Sequence, residues 1–425
     1  MDKFLIQGPS PLKGTIPISG SKNAALPLMA AAVLADGTTR IQNVPSLKDI
    51  FTFNDVLRAT GISADFNEPE SVLDINPGNL SNPEAPYHLV RKMRASFYML
   101  GALIGRSKKA RVSLPGGCAW GPRPVDLHLK GMKAMGVDIE LDEGYVIASI
   151  DNNSISGGEF TLEPSSVGAT INLLLAAVLR ADKFTINNAA LEPDVTLLCN
   201  ALVKMGADIE GIGTDKLTIR RVSSLKPATL NNTPDRIETG TFIIAAAMHP
   251  ESDVTLTGCK PSELGNFPEH FLQTGSGLKI EGSKIHIKAP DEICPVSIET
   301  KIYPGFPTDL QAQWSTLMTQ AAGTSTITDN IYFDRFSYVP ELNRLGADLS
   351  VQKNQVTVHG RTPLSGASVM STDLRASVSL VLAGLCAEGE TEVLRIYHLD
   401  RGYQKLENKL SGAGASIKRV QTDAT

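Results

Sequence analysis

Aromatic side chains are scarce in this 425-residue chain, at 5%, which weighs against a surface built to stack nucleic-acid bases. An excess of one charge is missing too. A formal net charge of -5, with 20% charged residues, offers no general surface to a polyanion, so any anion site has to be local. Apolar runs such as Ala24 to Ala35 fall short of the ~20 residues a helix needs to cross a bilayer, and no membrane insertion is expected. The five cysteines, Cys118, Cys199, Cys259, Cys294 and Cys386, are odd in number and form no C-x-x-C pair, which argues against a disulfide frame and against a thiolate zinc site. Seven histidines without ligand spacing point to no bound metal, and no cofactor is expected. The chain also lacks a G-x-x-x-x-G-K-[ST] phosphate loop, a G-x-G-x-x-G turn after its first strand, an H-E-x-x-H pair and a G-x-S-x-G elbow. Its opening "MDKFLIQGPSPLKG" has no basic start or apolar core of a secretory signal, so a cytoplasmic protein is expected.

What is present is a repeat. The segments "LRATGISADF", "MKAMGVDIEL", "LVKMGADIEG", "LQTGSGLKIEG", "LNRLGADLSV" and "LSGAGASIKR" share one pattern, the end of an amphipathic helix, a glycine and the edge of a strand. Their glycines, Gly61, Gly136, Gly206, Gly277, Gly346 and Gly414, lie 75, 70, 71, 69 and 68 residues apart. Before each comes an apolar helix, near "SKNAALPLMAAAVL", "MRASFYMLGALI", "SVGATINLLLAAVL", "IETGTFIIAAAM", "PTDLQAQWSTLMTQAA" and "TDLRASVSLVLAGLCA". A β-rich run follows each of these helices: "TTRIQNV", "ARVSLPG", "FTINNA", "DVTLTG", "STITDN" and "TEVLRI". A helix apolar on every side is buried, so the strands and amphipathic helices must wrap it. At this length two or three domains are expected. Three units around three parallel buried helices make one α/β globule, and six make two. Parallel helix N-termini attract anions. Lys22, Arg94, Ser166, Glu238, Thr239, Asp309, Asp373 and Arg375 all fall in the first turns of such helices; each alone reads as a cap, and together they are expected to line one cleft.

Four stretches carry candidate chemistry. In "SGSKNAALP", Ser21 is positioned to cap the first apolar helix, and Pro27 is tolerable near the first turn. Lys22 there is either a solvated helix end or a cation at a site. The stretch "SLPGGCAWGPRPVDLH" is too rich in glycine and proline for regular structure and reads as a surface loop displaying Cys118, with Arg123 nearby. Cys118 is either a small hydrophobe or a reactive thiol; Arg123 is a solvated charge or an anchor, and Asp126 and His128 are possible caps. In "YPGFPTDLQAQW", Asp309 is an N-cap or a general base. In "IYHLDRGYQKLENKL", Arg401 pairs with Asp400 or clamps an oxyanion.

With "MRASFYMLG", "PDRIETGTF", "FPTDLQAQ" and "TDLRAS", these stretches resemble, in order and over essentially the whole chain, the enolpyruvyl transferases of peptidoglycan synthesis. The resemblance implies two inside-out α/β globules, each of three βαβαββ-type units, with the first strand in the C-terminal globule. The boundaries implied are 22–233 for one globule and 1–21 with 234–425 for the other, with the active-site cleft between them. It implies the substrates phosphoenolpyruvate and UDP-N-acetylglucosamine, inhibition by fosfomycin, and no nucleic-acid partner. By motif it implies Cys118 as the loop thiol that helps protonate the phosphoenolpyruvate methylene carbon, and Asp309 as the base. Lys22, Arg123 and Arg401 become the phosphoenolpyruvate clamp, and Asn23 the sugar contact. Arg94, Asp373 and Arg375 surround the cleft. Arg123, Pro124, Val125, Asp126 and Leu127, with Ser166, Val167, Gly168 and Ile331, become the uridine diphosphate site. In many members a lysine stands where this chain has Pro164, and small or aliphatic residues are commoner where it has Trp120 and Pro122. Three rival readings are a sister transferase acting on shikimate 3-phosphate, a clamp around DNA, and a paralogue that binds the substrates without turnover. Asp309, Asp373 and Glu238 at the helix starts oppose the DNA clamp.

Overall fold

The computed structural model of the chain describes residues 2–115, 125–152 and 154–421. They fold as two compact units, Gly20–Thr233 and the combination of Met1–Ser19 with Pro234–Thr425. Each unit holds three four-stranded sheets of one plan. In one of them, Ile155–Thr161 runs parallel to Ala181–Asn187, which pairs antiparallel with Lys216–Arg220, which pairs antiparallel with Asp208–Glu210. Along Lys216–Arg220, Leu217 and Ile219 are buried while Lys216 is exposed, the period-two pattern of a sheet with one wet face. All six β-rich runs named above form strands of such sheets.

Three sheets are completed by strands distant in sequence. Thr229–Asn231 lies parallel to Thr39–Gln42, at the far end of the same unit. In the other unit Asp2–Gly8 lies between Gly389–Leu394 and Ser416–Gln421. Lys13–Pro17 lies parallel to Asp253–Thr257. The repeat is thus unbroken around each unit although the chain is not.

The interior of each unit is helical. The buried helices of the first unit are Lys22–Ala32, Met99–Ser107 and Val167–Arg180, and those of the second are Arg236–Ala247, Gln311–Met318 and Leu374–Cys386. In Val167–Arg180, 11 of 14 residues are buried; enclosing a leucine there is worth ~1.5–3 kcal/mol. The helices Met99–Ser107 and Val167–Arg180 pack so closely that a Cβ on Gly101 would lie 2.3 Å from the Asn172 carbonyl oxygen.

Three sequence expectations need correction. Pro27 is the sixth residue of its helix, beyond the first turn, so it has no N–H to give the Asn23 carbonyl four residues back. The second and fifth buried segments open as 3₁₀ turns, Arg94–Tyr98 and Thr308–Leu310, before turning α-helical. At the first of these junctions the Asn172 amide bridges the chain: its Oδ1 accepts from Gly101 N–H at 2.8 Å and its Nδ2 donates to the Phe97 carbonyl at 3.0 Å. A continuous α-helix would pair those two groups with each other. In the fourth signature the left-handed glycine is Gly275, with φ of 86°, and not Gly277, which lies in the strand Gly277–Glu281. The helix before it ends at Gln273 with its cap at Thr274, so the chain must turn one residue later, at Gly275.

Candidate active site

The first buried helix begins where Ser21 leaves an extended conformation and its Oγ accepts the Ala24 N–H at 3.2 Å. Lys22 follows as the first helical residue. Its Nζ lies 2.9 Å from Asp49 Oδ2, with side-chain exposures of 12% and 4%, so it is a nearly buried ion pair and not a solvated helix end. Asp49 stands in the first turn of the amphipathic helix Lys48–Ala59. Asn23 and Arg94 are half-buried.

Ser166 caps the third buried helix through Ala169 N–H at 3.3 Å, with Val167 and Gly168 as its first two residues. The amides and dipole of this helix start favour an anion. Val125 is buried and precedes the helix Asp126–Met135. Asp126 pairs with Lys130 one turn on, at 3.3 Å and exposed, and Leu127 is half-buried. His128 turns inward, and a Cβ on Gly168 would lie 3.1 Å from its Cε1. Because Asn172 Oδ1 is engaged by Gly101, its Nδ2 is the donor to His128 Nδ1 at 2.8 Å, which places the imidazole proton on Nε2. Burial, and then the positive charge of Arg94, hold the His128 pKa down to about 3 against the opposing pull of Asp126. Cys118, Arg123 and Pro124 lie outside the described residues.

In the second unit the candidate base is held by two arginines. Asp309 Oδ1 accepts from Arg335 Nη1 at 2.8 Å and Oδ2 from Arg375 Nη2 at 2.6 Å. The carboxylate makes no helix-capping bond, so the N-cap reading gives way to a double ion pair. Side-chain exposures are 25% for Asp309, 15% for Arg335 and 7% for Arg375. Burial alone would push the Asp309 carboxyl up, but the two guanidinium groups and their hydrogen bonds outweigh it and hold it far below the usual carboxylate range. Arg375 is presented by Asp373, whose Oδ1 caps the sixth buried helix through the Arg375 and Ala376 N–H groups at 2.8 and 3.1 Å. Asp373 Oδ2 accepts from Ser337 Oγ at 3.2 Å. Ile331 is half-buried, and its N–H donates to Asp329 at 2.9 Å. Arg401 ends the 3₁₀ turn Ile396–Arg401 and is half-buried, while Asp400 beside it takes Arg419 at 2.6 Å.

Two helix-start residues that the sequence placed along the cleft have internal work instead. Glu238 bonds Lys409 Nζ and the Ser19 N–H, at 2.7 and 2.6 Å, and the Thr239 hydroxyl donates to the Asp235 carbonyl at 2.8 Å. Sequence reading passed over Arg335, Asp49 and Asp329. Arg335 sits in an irregular stretch, "NIYFDRFSYVP", where no periodicity or motif marks it. Asp49 opens an amphipathic helix, where an acidic residue is ordinary. Among the described residues no three His, Cys, Asp or Glu groups cluster to hold a metal, and no helix is long and apolar enough to cross a membrane.

Known proteins similar to this chain match it over nearly its whole length. The sequence model of the family described as EPSP synthase (3-phosphoshikimate 1-carboxyvinyltransferase) matches residues 6–410. The UDP-N-acetylglucosamine 1-carboxyvinyltransferase of Chloroherpeton thalassium is 52% identical over 424 residues, covering 100% of this chain and 98% of that protein. The protein of the same name from Chlorobium phaeovibrioides is 50% identical over 424 residues, covering 100% and 99%. Among solved structures, the enolpyruvyl transferase NikO from Streptomyces tendae superposes with a TM-score of 0.90 at 26% identity, covering 99% of each chain. EPSP synthase from Acinetobacter baumannii shares the fold, with a TM-score of 0.77 at 18% identity over 99% of this chain and 100% of that one. The chain belongs to the enolpyruvyl transferase family, the family of EPSP synthase.

Proposed function

We propose that this protein transfers the enolpyruvyl group of phosphoenolpyruvate to the 3-hydroxyl of UDP-N-acetylglucosamine, releasing phosphate for the first committed step of peptidoglycan synthesis in the cytoplasm. The observation that carries the reading is 52% identity over 424 residues to a relative named for that acceptor, against 18% to EPSP synthase of known structure.

The chemistry gives each candidate residue a task. Phosphoenolpyruvate brings a carboxylate and a phosphate on adjacent atoms, and Lys22, Arg123 and Arg401 supply the opposing charge. An acid, assigned to Cys118, delivers a proton to the methylene carbon, and C2 becomes electrophilic. The sugar hydroxyl attacks C2 and gives its proton to Asp309, producing a tetrahedral ketal. Loss of phosphate and of one methyl proton then restores the double bond. Each Asp309 oxygen holds one arginine and keeps lone-pair capacity for a hydroxyl. So strongly ionised a carboxylate is a weak base, so it orients that hydroxyl by accepting its hydrogen bond and takes the proton only as attack on C2 makes the hydroxyl acidic. Arg94, Asp373 and Arg375 support this arrangement, and Asn23 contacts the sugar. The helix start at Ser166, Val167 and Gly168, with Pro124, Val125, Asp126, Leu127 and Ile331, receives the uridine diphosphate.

The test is phosphate release from phosphoenolpyruvate with UDP-N-acetylglucosamine, with shikimate 3-phosphate, and with neither. Release with the nucleotide sugar alone supports the reading. Release only with shikimate 3-phosphate replaces it by the sister activity, and binding without release replaces it by a non-catalytic paralogue. Fosfomycin should form an adduct on Cys118, faster when UDP-N-acetylglucosamine is bound.

A further inference from the structure

Asp329 ends the strand Thr324–Asp329 and is fully buried. A buried carboxylate is costly unless hydrogen bonds satisfy it, and this one accepts five. Oδ1 takes the Thr300 hydroxyl at 2.7 Å and the N–H groups of Ile331 and Tyr332 at 2.9 and 3.0 Å. Oδ2 takes the Thr308 hydroxyl at 2.7 Å and Gln311 Nε2 at 3.4 Å. Holding the turn after the strand requires only the two amides. The bonds to Oδ2 reach elsewhere.

Thr308 has one hydroxyl proton, and the carboxylate can only accept, so that proton is committed to Asp329 and a lone pair is left facing away. Arg335 Nη1 donates to this oxygen at 3.1 Å and to Asp309 Oδ1 at 2.8 Å. Gln311 Nε2 donates also to the Arg335 carbonyl at 3.1 Å. Asp329 therefore fixes Arg335 through its guanidinium and through its backbone, and holds the Ile331 amide as well.

We infer that Asp329 is a positioning residue for the transfer, a single buried carboxylate that couples the setting of Asp309, through Thr308 and Arg335, to the setting of Ile331. This rests on the roles proposed above for Asp309 and Ile331. The coupling has two arms that separate experimentally. Thr308→Val cuts the arm to Arg335 and leaves the amides of Ile331 and Tyr332 on Asp329. Asp329→Asn weakens both, because an amide nitrogen turned to Gln311 Nε2 and the Thr308 hydroxyl cannot accept from them, and the uncharged oxygen left for the Ile331 and Tyr332 amides accepts more weakly than a carboxylate.

Steady-state phosphate release tests this. Thr308→Val should lower kcat roughly tenfold, the worth of one hydrogen bond to a charged group, with KM for UDP-N-acetylglucosamine within about twofold of wild type. Asp329→Asn should lower kcat at least as much and also raise that KM by roughly tenfold, with KM for phosphoenolpyruvate held within about threefold. Folded variants that both keep kcat and KM within about twofold would overturn the inference while the active wild type upholds the function. So would equal rises in both KM values for Asp329→Asn with Thr308→Val silent. Should Asp329→Asn fail to fold, Thr308→Val decides alone, and an unchanged kcat refutes the positioning role. A wild type that releases no phosphate with UDP-N-acetylglucosamine refutes the functional reading and this inference with it.

Discussion

Acidification should destabilise the Gly20–Thr233 unit through one imidazole. In the unfolded chain His128 takes up a proton near pH 6.5, whereas in the folded unit burial and Arg94 hold its pKa down to about 3. Between those values the unfolded state binds the extra proton, so stability is fully present above pH 6.5 and drains away as the pH falls toward 3. At pH 5.0 the medium is 1.5 units below the unfolded value, and at ~1.36 kcal/mol per unit the loss is about 2 kcal/mol. His128→Gln cannot titrate and still offers Asn172 Nδ2 an acceptor. Urea unfolding of both proteins at pH 7.5 and 5.0 isolates the effect, because every other group titrates in both. The stability of wild type relative to His128→Gln should fall by about 2 kcal/mol between the two pH values. The imidazole signals of His128 in NMR should stay those of the neutral ring across that range. A constant difference between the proteins, or a His128 titration midpoint between 6 and 7, would refute the reasoning.

Asp309→Asn should cost roughly 10²–10⁴-fold in kcat while calorimetry still detects UDP-N-acetylglucosamine binding; turnover within about threefold of wild type would make Asp309 a structural partner of its arginines. Brief alkylation near neutral pH, mapped by mass spectrometry, should mark Cys118 and spare three other cysteines, because burial pushes the thiols of Cys199 and Cys386 up to about 12 and that of Cys259 up to about 11; thiolate is the attacking form. Gly101→Ala, whose Cβ would meet the Asn172 carbonyl oxygen at 2.3 Å, should lower stability by ~1–3 kcal/mol, read as a drop in melting temperature.

The repeat was legible because every part of it is local: an apolar stretch, an amphipathic stretch and a glycine turn are each written in consecutive residues. Where two glycines stood two apart, at Gly275 and Gly277, the local pattern could not say which takes the left-handed turn, since the end of the helix before it is set by packing. The start of the segment carrying Asp309 was visible from its prolines and the apolar run behind it. Its chemistry was not, because the arginines that grip it come from 26 and 66 residues further along. The same holds for Lys22, whose partner Asp49 belongs to the next helix. Charge–charge partners across a fold leave no periodicity for a sequence to display, and the residues passed over are mostly of that kind. The family resemblance supplied the substrate roles, which no spacing in the chain encodes.

The place of the N-terminal strands has a consequence during synthesis. Gly20–Thr233 contains every strand of its three sheets, so it can fold once Thr233 has left the ribosome. Lys13–Pro17 must wait for Asp253–Thr257. Asp2–Gly8, whose Phe4 and Ile6 belong to the other unit's core, pairs with Gly389–Leu394 and Ser416–Gln421. At ~5–20 residues per second, the roughly 400 residues between Gly8 and Ser416 take on the order of 20–80 s to make. Through that interval an apolar strand stands without its neighbours, the kind of edge on which nascent chains aggregate. Residues made early are among the last to fold.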